Sequence, residues 1–273
     1  MGNDRNNLIA RVLVLLVGAI IIFSILIGSG IIHIGLPSAP SSAAKFSPPS
    51  QIPYGSSFVK ISTQDYAGSN AVSIYFDSWI GCPIGAANSW VIYGTLSDYG
   101  VNLSGHVIYH YSDPDEASVP NLPGILFNSE MRFSTQGVNV QFIPLYIYNE
   151  TLYGYPYTNT PINQSDLLRA GYQESNSSSS FPSGIAHLIY EYTAVIPTEG
   201  SNGKPSAYLG SPPHVNTVMI ITGKAGTFML NGPFYSPSNI KGYTDSYMET
   251  NYNSLSYILN SETLFHNQIQ SQV

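Results

Sequence analysis

The sequence has very little charge. Nine Lys or Arg and sixteen Asp or Glu make up 9% of its 273 residues and give a formal net charge of −7. A chain so poor in cations offers no basic patch, which excludes nucleic acid as an expected partner. Low charge does not indicate disorder here, because 43% of the residues are hydrophobic, and disordered segments combine low hydrophobicity with high net charge.

Cysteine is almost absent, since Cys82 is the only one. No disulfide bond can form within the chain, so stability must come from a hydrophobic core. The lone cysteine is a free thiol, an intermolecular partner or a small buried apolar residue. The sequence also lacks a Gly-rich phosphate loop, a Ser/His/Asp signature and a Cys/His cluster, so we expect no cofactor and no metal. His106 and His110 would lie about 13 Å apart on one strand, too far to share an ion.

Charge is missing altogether from the segment 12–32, "VLVLLVGAIIIFSILIGSGII". As a helix it would span roughly 30 Å, the thickness of a bilayer core. We therefore expect residues 1–36 to form a cytoplasmic tip and a single transmembrane helix. A cleaved signal peptide is the alternative, because small residues follow the apolar run. The apolar region of a signal peptide is only about 7–15 residues long, which favours an uncleaved anchor.

The flanking charges predict the orientation of this anchor. Arg5 and Arg11 precede the apolar run, and the next cation is Lys45. Because cations stay on the cytoplasmic side, the bulk of the chain is expected outside the cell membrane. Residues 37–57 are rich in Pro and Ser and predict a linker, and residues 58–273 predict an extracytoplasmic domain.

Neutral polar groups replace charge in the exported part. Hydroxyls, amides and phenols keep their hydrogen bonds at any pH, so we expect a domain that tolerates an acidic exterior. Four Asn-x-Ser/Thr sequons are candidate glycosylation sites; they start at Asn102, Asn149, Asn163 and Asn176.

Strand and helix patterns alternate along this domain. Residues 57–62 and 71–79 read as strands, 84–98 as a helix and 106–111 as another strand. The order strand, helix, strand predicts parallel pairing of 71–79 with 106–111.

The second half of the domain has a different order of elements. Residues 138–155 read as an edge, bulged or double strand because Pro144 interrupts them, and two helices follow at 163–173, capped by Ser165, and at 184–194. A hairpin at 216–232 and one or two helices within 238–268 complete an α/β fold.

The order of elements and the residues around Cys82 resemble an archaeal family of membrane-anchored, thioredoxin-like proteins of unknown function. That family has a strand running into Cys-Pro-x-Cys-Ala-Ala-x-x-Trp, and Cys82, Pro83, Ala86, Ala87 and Trp90 match it. The later stretches "PNLPGILF", "VQFIPLYIYN" and "GTFMLNGPFYSP" also resemble it, over most of residues 55–265. The resemblance implies a thioredoxin-like mixed sheet flanked by helices, with insertions.

Two departures affect the function that the resemblance implies. Gly85 stands where the second cysteine of the motif belongs. Thioredoxin-like proteins usually carry a cis-proline that faces the active-site cysteine, but Pro212 and Pro213 come too early and residues 215–217 contain none.

Cys82 keeps one element of thiol activation. A helix N-terminus stabilises a thiolate, and Pro83 suits the first helical position. Without a resolving cysteine only a monothiol route remains. We therefore expect a non-catalytic accessory or assembly subunit of a membrane or cell-envelope complex. The alternatives are a monothiol oxidoreductase or thiol carrier that uses Cys82, and a glycan or surface-layer binding protein.

The remaining candidates have structural explanations. We expect Trp90 to pack in the core and Trp79 to line a groove beside Cys82. His187 and His214 are interpreted as structural, and the acidic turn at 113–116 as solvated rather than as a calcium site. Tyrosine-rich strands predict either a glycan-binding surface or tyrosines that cover a sheet with their hydroxyls in water; the candidates are Tyr146, Tyr148, Tyr153, Tyr155 and Tyr157.

Overall fold

The structure is a computed structural model that describes residues 46–116 and 118–273. Its strands are Val59–Ser62 (β1), Ala71–Ser78 (β2), Val107–Tyr111 (β3), Pro123–Phe127 (β4), Met131–Thr135 (β5), Val138–Tyr146 (β6), Val218–Gly223 (β7) and Gly226–Asn231 (β8). Its α-helices are Pro83–Asp98 (α1), Leu167–Ser177 (α2), Ser183–Tyr190 (α3), Asp245–Asn251 (α4) and Ser256–Gln270 (α5). Short helical turns lie at Gln164–Asp166, Glu191–Val195, Ser206–Tyr208, Pro237–Ile240 and Tyr252–Ser254.

The predicted transmembrane helix, residues 12–32, lies outside the described residues. Within 46–116 and 118–273, no helix has the length and apolar character needed to cross a membrane.

Six strands form one mixed sheet in the order β1-β8-β7-β2-β6-β5. Strand β2 runs parallel to β6 and antiparallel to β7, and the remaining neighbours are antiparallel. Strands β3 and β4 pair with each other in a separate two-stranded sheet. The predicted α/β class, with a mixed sheet flanked by helices, is confirmed.

The predicted parallel pairing of residues 71–79 with 106–111 is wrong. β3 pairs with β4, and the parallel partner of β2 is β6, the third strand after β3 along the chain. Burial explains the difference, because a strand beside β2 must be covered on both faces. β3 leaves Ile108 52% exposed, so one of its faces meets solvent.

Pro144 does not place β6 at an edge of the sheet. β6 lies between β2 and β5, and Pro144 stands opposite Phe76 in the parallel register. The pairing with β5 ends at Phe142. From Pro144 onward β6 has a neighbour on one side only, and this local edge tolerates a residue without an N–H.

The other predicted elements are present with shifted ends. The helices expected at 163–173 and 184–194 are α2 and α3, but α2 begins through the turn Gln164–Asp166 and the predicted Ser165 cap is not formed. The hairpin β7–β8 pairs Gly223 with Gly226, and the C-terminal segment forms two α-helices.

Two hydrophobic cores cover the two faces of the six-stranded sheet. The first core joins the sheet to α1, α5 and the β3–β4 pair, and the second joins it to α2 and α3. Alternation along β2 sends Ile74 and Phe76 into the first core and Tyr75 into the second. Twelve of the sixteen residues of α1 are buried, because this helix is packed between the sheet, β4 and α5.

Candidate functional site

The candidate site is a groove at the end of β2 where the chain enters α1. Cys82 is the N-cap of α1 and Pro83 opens the helix, as the sequence predicts. Segments from three later loops surround them, at 113–116 with 118–119, at 151–153 and at 209–216. Together these segments enclose a cavity of about 740 Å³, within the size range of ligand pockets. We call it the Cys82 groove.

Cys82 lies at the bottom of this groove and is 3% exposed. Its Sγ is 2.9 Å from Thr217 Oγ1, and Thr217 Oγ1 is 2.8 Å from Ser78 Oγ. Burial raises the pKa of the Cys82 thiol, although hydrogen bonds from Thr217 and from the backbone of Gly85 and Ile84 act in the opposite direction. At neutral pH the group is therefore a thiol, the form that does not attack disulfides.

Ser78 occupies the space in which a second cysteine side chain would lie. A Cβ atom built on Gly85 would overlap Ser78 Oγ and lie 3.2 Å from Cys82 Cβ. The hydroxyl of Ser78 thus packs directly over Gly85 and bonds to Thr217. A hydrogen-bonded trio of one thiol and two hydroxyls stands where the motif that the sequence resembles would have two thiols.

Thr217 stands in front of β7, facing Cys82, where the resemblance would place a proline. The proline pair lies further upstream, as its sequence position indicates, and Ser211–Pro212 is a cis peptide bond in the groove wall. The partner of Cys82 is therefore a hydroxyl, which can donate a hydrogen bond to sulfur and accept one from it.

The two tryptophans have different surroundings. Trp90 is fully buried in the first core, and its Nε1 donates a hydrogen bond to Pro123 O at 2.8 Å. Trp79 is 5% exposed, lines the Cys82 groove and packs edge-on against the imidazole of His214.

Polar groups of the groove come from the acidic turn and from the segment before β7. Asp113 is 9% exposed, and its Oδ1 accepts a hydrogen bond from the Asp115 N–H at 2.9 Å. His214 Nδ1 lies 2.8 Å from Pro212 O, and since a carbonyl oxygen can only accept, Nδ1 carries the proton of this hydrogen bond. Burial lowers the pKa of His214, while the Pro212 hydrogen bond and the nearby Glu116 raise it.

Of the histidines in the described residues, only His214 lines the groove. His106 Nδ1 contacts Ser129 Oγ at 2.6 Å, and His110 Nε2 pairs with Glu150 Oε2 at 2.7 Å. Burial raises the pKa of Glu150, and the paired His110 opposes this. In the described part of the chain, no group of three or more His, Cys, Asp and Glu residues is placed to hold a metal ion.

The sequons differ in accessibility. Asn102, Asn163 and Asn176 are exposed. Asn149 is half-buried, its Nδ2 donates to Asn159 Oδ1 at 3.1 Å, and its Oδ1 accepts from the Gly154 N–H at 3.0 Å. A glycan on Asn149 would break this turn, whereas glycosylation at the three exposed sites stays a prediction.

The five tyrosines predicted as one binding surface do not form it. Tyr146 and Tyr148 are buried, and their hydroxyls bond to the backbone of Phe127 and Leu167. Tyr153 is 40% exposed and lines the Cys82 groove together with Tyr54. The aromatic lining therefore lies beside the cysteine.

The site includes residues that the sequence analysis missed, among them Ser78, Thr217, Asn216 and Leu209. Ser78 and Thr217 are polar residues at the ends of apolar strands, a signal that could have suggested contact with the nearby helix terminus. Asn216 and Leu209 belong to an irregular segment without periodicity. Nothing local relates that segment to Cys82.

Residues 57–271 match the model of a protein family described as a domain of unknown function (DUF929). No curated protein and no solved structure matches the chain. The match agrees with the expected membership in a family of unknown function, and the archaeal and thioredoxin-like character of that family stays a prediction.

Proposed function

The chain belongs to the DUF929 family, and we propose that it is a membrane-anchored, extracytoplasmic, thioredoxin-like domain acting as a non-catalytic accessory subunit. Its Cys82 groove would bind another protein of a membrane or cell-envelope complex. The observation that carries this proposal is the position of Ser78, whose hydroxyl fills the place of a resolving thiol.

The strand order supports the thioredoxin-like assignment. The central four strands run β8-β7-β2-β6, with β2 and β6 parallel and a terminal β7–β8 hairpin. The cysteine lies where the central strand β2 passes into α1. This is the order of elements that the resemblance implies, with β1, β3, β4 and β5 as additions.

The state of the thiol supports a non-catalytic role. A resolving thiol must reach the first sulfur, and the overlap with Ser78 prevents a side chain on Gly85 from doing so. Burial also raises the pKa of Cys82, so the attacking species is scarce. The groove remains open beside this inactive thiol, which favours binding over chemistry.

The location outside the membrane is supported by the apolar residues 12–32 and the flanking cations. The carboxyl groups agree with an acidic exterior. Burial raises the pKa of Asp77, Glu150, Glu174, Asp245 and Glu262.

Co-purification from solubilised membranes tests the proposal. The full chain should retain a stoichiometric companion protein, and Cys82→Ser should retain it equally. Leu209→Arg, at a 46% exposed position in the groove wall, should lose it. Loss of the companion in a folded Cys82→Ser variant, or the absence of a stoichiometric companion, would contradict the proposal.

A monothiol oxidoreductase is the second candidate, because the backbone of Ile84 and Gly85 hydrogen-bonds the sulfur and Cys82 lines the groove. The two functions differ in thiol reactivity. A non-catalytic Cys82 should resist iodoacetamide in the folded protein and react in urea. Rapid alkylation of the folded protein at neutral pH would favour the monothiol function.

A further inference from the structure

The walls of the Cys82 groove combine negative charge with apolar surface. Asp113, Asp115 and Glu116 line one side, and the described lining contains no Lys or Arg. None of the ion pairs between described residues involves these three carboxylates. The described lining of the groove is therefore acidic and holds no Lys or Arg to balance these carboxylates.

Asp113 makes this charge more than a solvated surface turn. Its side chain lines the groove and is 9% exposed. A buried carboxylate without a counter-ion is costly. Its Oδ1 accepts one backbone hydrogen bond, from Asp115, and no Lys or Arg of the described groove lining pairs with the carboxylate.

Asn216 adds a neutral acceptor in the same cleft. It is 7% exposed and lines the groove, and its Nδ2 donates to Ser206 O at 2.6 Å. That bond orients the amide and leaves Oδ1 without a hydrogen bond from the described chain. Carboxylate and amide oxygens together call for a donor-rich ligand group, because neither can donate.

Apolar and aromatic side chains complete the lining. Trp79 and Leu152 are buried beneath the groove, while Tyr54, Tyr153 and Leu209 are 37–46% exposed at its rim. Lys and Arg side chains match such a cleft, since they place an apolar stem along apolar surface and a cation among acceptors.

We propose that the Cys82 groove binds an extended segment of a partner protein that inserts a Lys or Arg side chain between the acidic turn and Asn216. Apolar neighbours of that side chain contact Trp79, Leu152 and the exposed rim residues. This inference rests on the proposed function and names the chemistry of its partner.

A peptide selection tests this proposal. The purified full chain is immobilised at low ionic strength and screened with phage that display random linear peptides. The enriched sequences should carry Lys or Arg next to an apolar residue. Enrichment of sequences without a cation, or no enrichment over an unrelated protein, would overturn the inference.

Two matched double variants then locate the charge. Asp115→Asn with Glu116→Gln should weaken the binding of the selected peptides roughly three- to tenfold, because partly exposed ion pairs contribute only weakly to affinity. Asp65→Asn with Glu199→Gln removes the same charge at exposed positions outside the groove lining and should leave affinity unchanged. An equal loss of peptide affinity in the two double variants would overturn the proposal.

Leu209→Arg separates this inference from the proposed function. If it abolishes peptide binding while the charge variants have no effect, the groove binds peptides but not through a cation, and only the inference fails. If Leu209→Arg leaves peptide binding intact, the groove is not the binding surface, and the proposed function loses its support as well.

Discussion

One buried carboxyl group lies on each side of the six-stranded sheet, and the two groups differ in their hydrogen bonding. Asp77, in β2, is fully buried on the second-core side; its Oδ1 accepts a hydrogen bond from Ser175 Oγ at 3.3 Å, and its Oδ2 has no hydrogen-bond partner among the described residues. Glu262, in α5, is 8% exposed where α5 packs on α1, and its Oε1 has no partner in that part of the chain either. Gly94 of α1 leaves the space that the Glu262 carboxyl group occupies, because a Cβ atom on Gly94 would overlap that group.

The comparison shows that both cores favour a neutral carboxyl group. Burial raises the pKa of Asp77 well above its usual value, despite the Ser175 hydrogen bond. Burial, with repulsion from Asp98, raises the pKa of Glu262 to about 7. A domain that keeps such groups in both layers is better suited to acidic than to neutral surroundings.

Removing the tryptophan of each core is the strongest way to compare the two faces. Trp90→Ala should lower the free energy of unfolding by about 3–5 kcal/mol, because a fully buried ring is lost and Pro123 O loses its donor. Trp79→Ala should cost about half as much, because one side of this ring faces the groove. Urea unfolding of the full chain, followed by circular dichroism, measures both.

Trp90→Phe is the control for this pair. It keeps an aromatic ring in the first core and removes the indole N–H. We therefore expect its free energy of unfolding to lie between those of the wild type and of Trp90→Ala. Equal destabilisation by Trp79→Ala and Trp90→Ala would show that the second core is as tightly closed around its tryptophan as the first, and would contradict the open groove.

The buried carboxyls predict how stability depends on pH. A carboxyl group whose pKa is raised by folding keeps its proton in the folded state at a pH where the unfolded chain already ionises. Below the unfolded pKa the group does not change the free energy of unfolding. As pH rises above that value, the group increasingly destabilises the fold. For Glu262 this window runs from about 4.5 to about 7. For Asp77 it begins near 3.8 and extends well above that value.

Neutral substitutions should remove this pH dependence. Glu262→Gln should stabilise the protein at pH 8 relative to wild type by an amount on the order of 2 kcal/mol after allowance for solvent screening, and have no effect near pH 4. Asp77→Asn should act in the same direction over a wider pH range. Chemical unfolding at a series of pH values measures both, and a wild-type stability that collapses below neutral pH would contradict the expectation.

The fold was predictable where local pattern decides and not where pairing between distant segments decides. The α1 helix, the strand β2 and the β7–β8 hairpin follow from periodicity, Pro83 and the glycines of the turn. The partner of β2 does not follow from local pattern. β4, which begins at Pro123, and β5, which contains Arg132, do not read as strands in the sequence, so the actual partner of β3 was not recognised. In the structure β3 pairs with β4, and one face of β3 stays exposed to solvent, which the pattern of β3 alone does not indicate.

The site shows the same division. The position of Cys82 at a helix N-terminus follows from its neighbours in sequence, as does the missing thiol at Gly85. The hydroxyls that surround the sulfur come from residues 78 and 217, and the acceptors of the groove come from 113 and 216. These residues are far apart in sequence and meet only in the folded chain, so no local pattern could indicate their contacts.

Of these substitutions, Cys82→Ser should change the free energy of unfolding least, well below the losses expected for the two tryptophan variants. The hydroxyl of serine can keep the hydrogen bond to Thr217, so the variant loses only the larger volume of sulfur in a buried position. We expect the free energy of unfolding to fall by about 1 kcal/mol or less. Thr217→Val is the informative control, because it removes the partner shared by Cys82 and Ser78 and should cost more. If Cys82→Ser destabilised the protein as much as Thr217→Val, the sulfur itself would support the packing of the site, and the two hydroxyls alone would not explain why the thiol is held there.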